Sequence, residues 1–195
     1  WEVFGEIHDY VKPPETLNDD ITFELAFLEA FREKGYDLTA DDIADKWIGY
    51  IPFAYTAEGV ALNQLRQGIY PPESAYVANP YREMIGAAMR AAVCGTIAPG
   101  NPKLAAELAW KDGSISHHNN GILTEIFNAV IVSMAYVEKD IRVILDKACD
   151  MIPKDSEFYS VITFARKACE TSATYREACE KCEEKYKEYN WVHAY

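Results

Sequence analysis

Two adjacent carboxylates stand where an apolar helix is predicted to begin. Asn18 is a good N-cap residue, and Asp19 and Asp20 follow it directly. The helix then carries two apolar stripes, one of Ile21, Leu25 and Leu28 and the other of Phe23, Phe27, Ala30 and Phe31. A helix that is apolar nearly all round is normally buried, so we expect the pair at the mouth of a buried central helix. Carboxylates in that position need a counter-ion, and a hard cation such as Mg²⁺ takes oxygen ligands.

The same carboxylates also have a purely structural explanation. Acidic residues in the first turn of a helix interact favourably with the helix dipole. Thr16 and Asp19 have the spacing of a capping box, in which the Asp19 side chain reaches back to Thr16. A second pair, Asp41-Asp42, follows the natural capping residue Thr39 and is interpreted as a cap. The residue types of the first pair therefore leave metal binding and capping open.

A helix of small residues is predicted over 83–98. Gly86 and Arg90 lie four residues apart and share a face of it. The small side chains indicate that its backbone packs closely against a neighbour. An arginine in such a helix needs acceptors, either from a carboxylate or from carbonyls at a helix C-terminus. We therefore expect a structural role for Arg90.

A polar loop over 114–121 separates two apolar helices. Ser116, His117 and the amides after them have side chains that can hold a polar ligand. A structural explanation fits equally well, because Asn119 or Asn120 can cap the next helix while the histidines are solvated or hydrogen-bonded. The loop alone does not decide between the two.

The elements that must position these residues are predicted to be helices throughout. No segment alternates convincingly at period two. Helices are predicted at about 19–34, 40–50, 57–69, 83–98, 102–111, 121–136, 140–151, 156–170 and 174–189, with a loop over 70–82. The prediction is an all-α fold of eight or nine helices, in a single domain over residues 1–195.

Composition excludes several classes of function. The chain is 49% hydrophobic, which is enough for a substantial core. Its net charge is −12, with 19 basic and 31 acidic residues, which argues against a nucleic-acid backbone or an anionic membrane as the partner. The five cysteines form no obvious disulfide framework, so we expect reduced thiols and a cytoplasmic protein. Cys179 and Cys182 have CxxC spacing in a charged helix and are interpreted as packing or surface residues.

Together, the three stretches resemble the ADP-ribosylglycohydrolase family, the all-α hydrolases of the dinitrogenase-reductase-activating type. The family's Thr-Asp-Asp-Thr motif corresponds to Asn18-Asp19-Asp20-Ile21, and its Gly-Ala-Ala-Met-Arg helix corresponds to residues 86–90. A Pro-Gly turn and an Ala-rich helix then lead to a Ser/Thr-His loop, which is matched by Ser116-His117. Asn79-Pro80-Tyr81 and Asn120-Gly121 are similar to a bacterial branch. The resemblance covers essentially the whole chain.

The resemblance implies a compact orthogonal multi-helix bundle with two Mg²⁺ ions at its centre, Mn²⁺ being the alternative metal. The ions would orient the ribose of an ADP-ribosyl group for hydrolysis at its anomeric carbon. The implied substrate is ADP-ribosylated protein or a small ADP-ribosyl compound. The resemblance implies catalytic and metal-binding roles for Asp19 and Asp20, a metal ligand in the Asn18 amide, and ligand contacts from Gly86, Ser116, His117 and Gly121.

Three features depart from the family pattern. The family has a second metal motif, Asp-x-Asp, near its C-terminus, whereas no aspartate follows Asp155 here. The family's opening helix, with a glutamate that contacts the metals, would lie before Trp1. Thr-Asp-Asp-Thr has become Asn-Asp-Asp-Ile, which removes two hydroxyl groups. We therefore expect an internal piece of a longer protein. A catalytically decayed ADP-ribose or nucleotide-binding module and a purely structural helical protein are the alternatives.

Overall fold

The computed structural model describes residues 18–189 and 193–194. Eight α-helices contain ten or more residues: α1 (Asp19–Lys34), α2 (Ala40–Tyr50), α3 (Thr56–Leu65), α7 (Pro102–Gly113), α8 (Asn120–Ala135), α9 (Ile141–Asp150), α10 (Glu157–Thr171) and α11 (Tyr175–Tyr186). Three are shorter: α4 (Glu73–Tyr76), α5 (Gly86–Met89) and α6 (Ala91–Thr96). Within the described ranges the β structure is one isolated bridge, between Met84 and His193. The prediction of an all-α fold is confirmed.

Helix α8 lies at the centre of the packing. It contacts α5, α6, α7, α9 and α10. It is apolar over most of its length, and its buried side chains include Ile122, Ile126, Phe127, Ala129 and Val130. In the part of the chain that the structure describes, each helix is too short or too polar to span a bilayer. The five cysteines are free thiols.

Helix α1 begins and ends where the sequence predicts. The Asn18 side chain accepts a hydrogen bond from the Ile21 backbone N–H at 3.1 Å, and Gly35 forms the C-cap with a φ of 59°. The alternative cap that involves Thr16 lies outside the described residues. Burial of the whole helix was the wrong expectation: Phe23 and Phe27 are buried, whereas Ile21 and Leu25 are more than half exposed. The reason is that α1 packs mainly on α2, and so it buries one face only.

Helix α2 confirms that the second acidic pair is a cap. The Thr39 hydroxyl accepts a hydrogen bond from the Asp42 backbone N–H at 3.2 Å, and the Asp42 carboxylate accepts one from the Thr39 N–H at 2.9 Å. The inner face of the helix places Trp47 in the core, with its ring centroid 4.5 Å from that of Phe23. This aromatic pair joins α2 to α1 just below the acidic turn.

The predicted helix over 83–98 is divided into α5 and α6, which meet at Arg90. The backbone of Arg90 has a φ of −100° and a ψ of 9°, outside the helical region. The break turns the side chain into the interior, where acceptors on α3 and α7 hold it. Close packing of the small residues is confirmed, because a Cβ atom at Gly95 would lie 2.6 Å from Cβ of Val132 on α8.

Candidate functional site

A cavity of about 230 Å³ lies at the N-terminus of α1. Three segments line it: Asp19 and Phe23 of α1; Tyr55, Thr56 and Glu58 at the start of α3; and Met84, Ile85, Gly86 and Met89 around α5. The carboxylates of Asp19 and Glu58 are therefore set among mainly apolar walls. Thr56 has a φ of 40°, which is unusual for a β-branched residue and marks a strained backbone at the cavity wall.

The acidic turn carries concentrated negative charge. The Asp19 carboxylate accepts a hydrogen bond from the Asp20 backbone N–H at 3.2 Å. Partial burial raises the pKa of Asp20 above its ordinary value, and the neighbouring charge of Asp19 raises it further. Burial also raises the pKa of Glu24, one turn along the helix, with Asp20 adding to the effect. A cation bound here would lower the free energy of all three carboxylates.

A buried arginine stands behind the cavity. The guanidinium of Arg90 donates from Nη1 to Oε1 of Glu58 at 2.9 Å, from Nε to Asp112 and from Nη2 to the Ser116 hydroxyl at 3.0 Å. Its Cζ atom also lies 4.9 Å from the ring centroid of Trp47. These contacts confirm the predicted structural role of Arg90, because one fully buried cation binds α3, α7 and the 114–121 loop together.

Two further carboxyl groups meet behind Arg90. Glu125 is fully buried on α8, and burial raises its pKa well above the usual range, with Asp112 contributing to the increase. Among the described residues, neither oxygen of Glu125 nor Oδ1 of Asp112 receives an N–H or hydroxyl proton. A protonated Glu125 satisfies both groups by donating its hydrogen to Asp112. The raised pKa of Glu125 therefore favours its neutral form, which can donate to Asp112 on the side away from Arg90.

The Ser116-His117 pair is buried in the same network. The Ser116 hydroxyl accepts from Arg90 and lies 2.8 Å from Nδ1 of His117, so its own proton points to that nitrogen. Burial lowers the pKa of His117 well below its ordinary value, and the charge of Arg90 lowers it further. His117 is therefore neutral with its proton on Nε2, which lies 4.0 Å from Oε1 of Glu58.

Asn79 fastens the loop to the start of α3. Its buried amide donates hydrogen bonds to the backbone carbonyls of Ala57 and Ser116, each at 3.1 Å. This residue begins the Asn79-Pro80-Tyr81 segment that precedes α5. Asn79 therefore fixes the position of the 114–121 loop relative to the start of α3, which lines the cavity.

Comparison with known proteins identifies the family of this chain. A family model described as ADP-ribosylglycohydrolase matches residues 2–194. The chain belongs to the ADP-ribosylglycohydrolase family. It is accordingly related to glycohydrolase-type hydrolases that act on ADP-ribosyl substrates. Neither the curated proteins nor the solved structures contain a match to this chain.

The structure brings some of the predicted ADP-ribosylglycohydrolase residues together and separates others. Asp19 and Gly86 line one cavity. Ser116 and His117 lie behind it, and His117 also lines a second cavity of about 500 Å³ that includes Tyr76, Trp110 and His118. Asn18 and Asp20 adjoin Asp19 at the helix terminus but do not line the first cavity. The ligand contacts expected of Gly86, Ser116, His117 and Gly121 stay predictions.

Both predicted glycines have a structural reason for their identity. A Cβ atom at Gly86 would lie 2.6 Å from Oε2 of Glu58 and closer still to Oε1. A Cβ atom at Gly121 would lie 2.5 Å from the Arg82 carbonyl oxygen and 3.0 Å from Cδ2 of His117. Each glycine thus lets a neighbouring group approach the backbone, whether or not a ligand binds there.

The sequence analysis missed Glu58, Asp112 and Glu125. The need of Arg90 for acceptors indicated that carboxylates exist, but Glu58 and Asp112 lie 32 and 22 residues away along the chain. Glu125 carried a signal of its own, since it interrupts the apolar face between Ile122 and Ile126. A carboxylic acid on a buried helix face is rare unless it is paired or neutral.

The donor chemistry at the acidic turn fits a hard cation. Asp19 and Asp20 offer carboxylate oxygens, and the Asn18 amide oxygen retains a lone pair beside its capping hydrogen bond. Mg²⁺ is commonly held by one or two carboxylates, with water and ligand oxygens completing its shell. Within 18–189 and 193–194, no three histidine, cysteine or acidic side chains form a complete metal cage. The turn therefore offers only some of the ligands that a bound cation would need.

Proposed function

We propose that this member of the ADP-ribosylglycohydrolase family is a Mg²⁺-dependent hydrolase that cleaves the ribosyl bond of ADP-ribosylated protein or of a small ADP-ribosyl compound. One observation carries the proposal: Asp19 of the family's acidic motif and Gly86 of its small-residue helix line the same cavity. Nε2 of His117, which belongs to the third family stretch, lies 4.0 Å from Oε1 of Glu58, which lines that cavity.

In this proposal the ribose occupies the cavity beside Asp19. The apolar side chains of Phe23, Met84 and Met89 exclude water from its faces. Asp19 and Asp20 would hold Mg²⁺, which would supply a template and a Lewis acid for oxygen atoms of the substrate. The carboxylates at the mouth favour the positive charge that develops on a ribosyl group as its glycosidic bond lengthens.

In this proposal the larger cavity binds the adenine end of the ADP-ribosyl group. His117 lines it, and Nε2 of His117 lies 4.0 Å from Oε1 of Glu58, which lines the smaller cavity. The rings of Tyr76 and His118 meet there with their centroids 5.5 Å apart, and Trp110 completes an aromatic lining. Aromatic walls of this kind suit a planar base. An ADP-ribosyl group would then span from the aromatic cavity to the acidic turn.

A hydrolysis assay tests the proposal. The chain is incubated with an ADP-ribosylated protein and Mg²⁺, and released ADP-ribose is measured by chromatography. We expect EDTA to abolish the release of ADP-ribose. We expect Asp20→Asn to lower the rate of release at least about a hundredfold, which is the size of effect seen when a group that stabilises transition-state charge is removed. Asp41→Asn is the matched control, because it removes a first-turn carboxylate from α2, which does not line the cavity. Equal activity of the two variants would contradict the proposal.

A catalytically decayed ADP-ribose-binding module is the second candidate. The specific observation in its favour is that the described residues supply no group of three metal-ligating side chains. It predicts that ADP-ribose binds equally well with Mg²⁺ and with EDTA, and that no ADP-ribose is released from a modified protein.

A further inference from the structure

Glu58 is a buried carboxylate at the wall of the cavity that no recognised family motif contains. It is 4% exposed, and Oε1 accepts the Arg90 hydrogen bond at 2.9 Å. Arg90 has a second carboxyl partner in Asp112, so Glu58 is not its only acceptor. Burial raises the pKa of Glu58 above its ordinary value, and the charge of Arg90 opposes that rise. Glu58 is the member of the buried cluster that lines the cavity.

The carboxylate of Glu58 is fixed in direction. Arg90 holds it from one side, and the Cα atom of Gly86 packs against it from the other, where any Cβ atom would collide with both oxygens. A group held by a charge-assisted hydrogen bond and by backbone packing is preorganised, so it loses little entropy when a ligand contacts it. Such rigidity is typical of residues that orient a ligand.

Size and charge indicate what the cavity accepts. Its volume of about 230 Å³ is below the roughly 300 Å³ at which complete ligand pockets begin, so it takes a single ring-sized group. The carboxylates of Asp19 and Glu58 disfavour a phosphate there. They favour a neutral group that is rich in hydroxyl donors, because a hydroxyl donating to a carboxylate forms a strong hydrogen bond.

We propose that Glu58 is a ligand-contacting residue whose carboxylate accepts hydrogen bonds from hydroxyl groups of the terminal ribose of an ADP-ribosyl ligand. This inference rests on the proposed function, which puts that ribose beside Asp19. It adds a specificity-determining residue: the cavity distinguishes a ribosylated diphosphate from the same nucleotide without the sugar.

The test compares ADP-ribose with ADP, which lacks the terminal ribose. Both ligands are titrated calorimetrically, with Mg²⁺ present, into the wild-type chain and into Glu58→Gln. Asp112→Asn is the matched control, because it also removes a carboxylate partner of Arg90 but does not line the cavity. Glu58→Asp is a second variant, since it keeps the charge beside Arg90 while drawing the carboxylate back. Thermal unfolding of each variant monitors folding.

We expect Glu58→Gln to weaken ADP-ribose binding about tenfold or more and to leave ADP binding nearly unchanged. Glu58→Asp should show the same selective loss, and Asp112→Asn should affect both ligands by the same factor. An equal loss for both ligands in the Glu58 variants would overturn the inference. So would a rise in the Mg²⁺ concentration needed for half-maximal binding, because it would assign Glu58 to the metal. A wild-type chain that binds no ADP-ribose would overturn the proposed function itself.

Discussion

Arg90 joins the 83–98 segment to α3, α7 and the 114–121 loop. Its side chain is 1% exposed, yet it contacts a carboxylate on α3, a carboxylate on α7 and a hydroxyl of the 114–121 loop. A buried cation with these partners cannot be removed without leaving two carboxylates unpaired. Its importance lies in holding the cavity wall in place.

Arg90→Lys is expected to lower the free energy of unfolding by about 3 kcal/mol or more, because the single nitrogen of a lysine cannot replace the three guanidinium nitrogens that reach Asp112, Glu58 and Ser116. Chemical denaturation measures the change. Arg32→Lys is the control, since Arg32 pairs with Glu29 at an exposed position, and it should leave the free energy of unfolding almost unchanged. If both variants lost a similar free energy of unfolding, the three hydrogen bonds of the Arg90 guanidinium would not be important for stability.

Glu125 predicts how stability depends on pH. Its pKa is raised well above the usual range in the folded chain, whereas the unfolded chain ionises it near about 4.3. Above that pH the folded state holds more protons than the unfolded state, so the free energy of unfolding falls as the pH rises toward the folded pKa. Glu125→Gln removes this dependence and still donates a hydrogen bond to Asp112.

We therefore expect Glu125→Gln to have a flatter profile than the wild type between about pH 5 and pH 8, with equal or greater stability at the upper end. Urea denaturation at several pH values gives the two profiles. Glu125→Ala should instead lose about 2 kcal/mol or more, because it leaves a void and an unpaired Asp112 oxygen. Parallel profiles for the wild type and Glu125→Gln would contradict the assignment of a neutral Glu125.

At the residue scale, the sequence predicted that Arg90 needs hydrogen-bond acceptors but did not predict which residues provide them. A buried arginine requires acceptors, and that much follows from its chemistry alone. Which carboxylates meet it depends on contacts between helices far apart in the chain, such as Glu58 with Arg90. No local pattern carries that information, so the acidic pair at α1 was found and the buried acids were not.

The starts of four helices were predictable because their causes are local. Asn18, Thr39, Asn101 and Ser156 each accept a hydrogen bond from the first turn of the helix that follows, as their residue types predict. Two other predictions were wrong: α3 ends at Leu65 rather than near 69, and the predicted loop over 70–82 contains the short helix α4. The break at Arg90 was not predictable, since residues 83–98 are favourable for one continuous helix. Tertiary contacts to the arginine side chain decide it.

The acidic turns of α1 and α2 provide a matched pair for metal binding. If Asp19 and Asp20 hold Mg²⁺, the metal should raise the melting temperature of the wild type and of Asp41→Asn, but not that of Asp20→Asn. A site filled at a hundredfold excess over Kd contributes about 2.7 kcal/mol. Differential scanning fluorimetry over a Mg²⁺ titration measures the shift. If Mg²⁺ raised the melting temperature of Asp20→Asn as much as that of the wild type, Asp19 and Asp20 would have only a capping role, like Asp41 and Asp42.

Two helical glycines test how closely α6 and α8 pack. A Cβ atom at Gly95 would collide with the Ala129 carbonyl and the Val132 side chain, whereas nothing lies within 4 Å of one at Gly49. Gly95→Ala should cost about 1–3 kcal/mol, and Gly49→Ala should add about 0.5–1 kcal/mol through helix propensity. Denaturant midpoints give both values. A stabilising Gly95→Ala would contradict the close crossing.

At the scale of the whole molecule, fold class followed from periodicity, but the arrangement of helices did not. The apolar stripes of α1 predicted a buried central helix, whereas α8 takes that position and α1 leaves Ile21 and Leu25 exposed. Periodicity says which residues share a face, and only packing says which faces are covered. The family resemblance supplied the order of the motifs, and the cavity at α1 shows where two of them meet.

The central claim is that this cavity receives an ADP-ribosyl group beside a Mg²⁺ ion. The most direct test is calorimetric titration of ADP-ribose into the chain, first with Mg²⁺ and then with EDTA. The proposed function predicts saturable binding with Mg²⁺ that EDTA abolishes and fresh Mg²⁺ restores. Binding of the same strength in EDTA, or none with Mg²⁺ present, would contradict it.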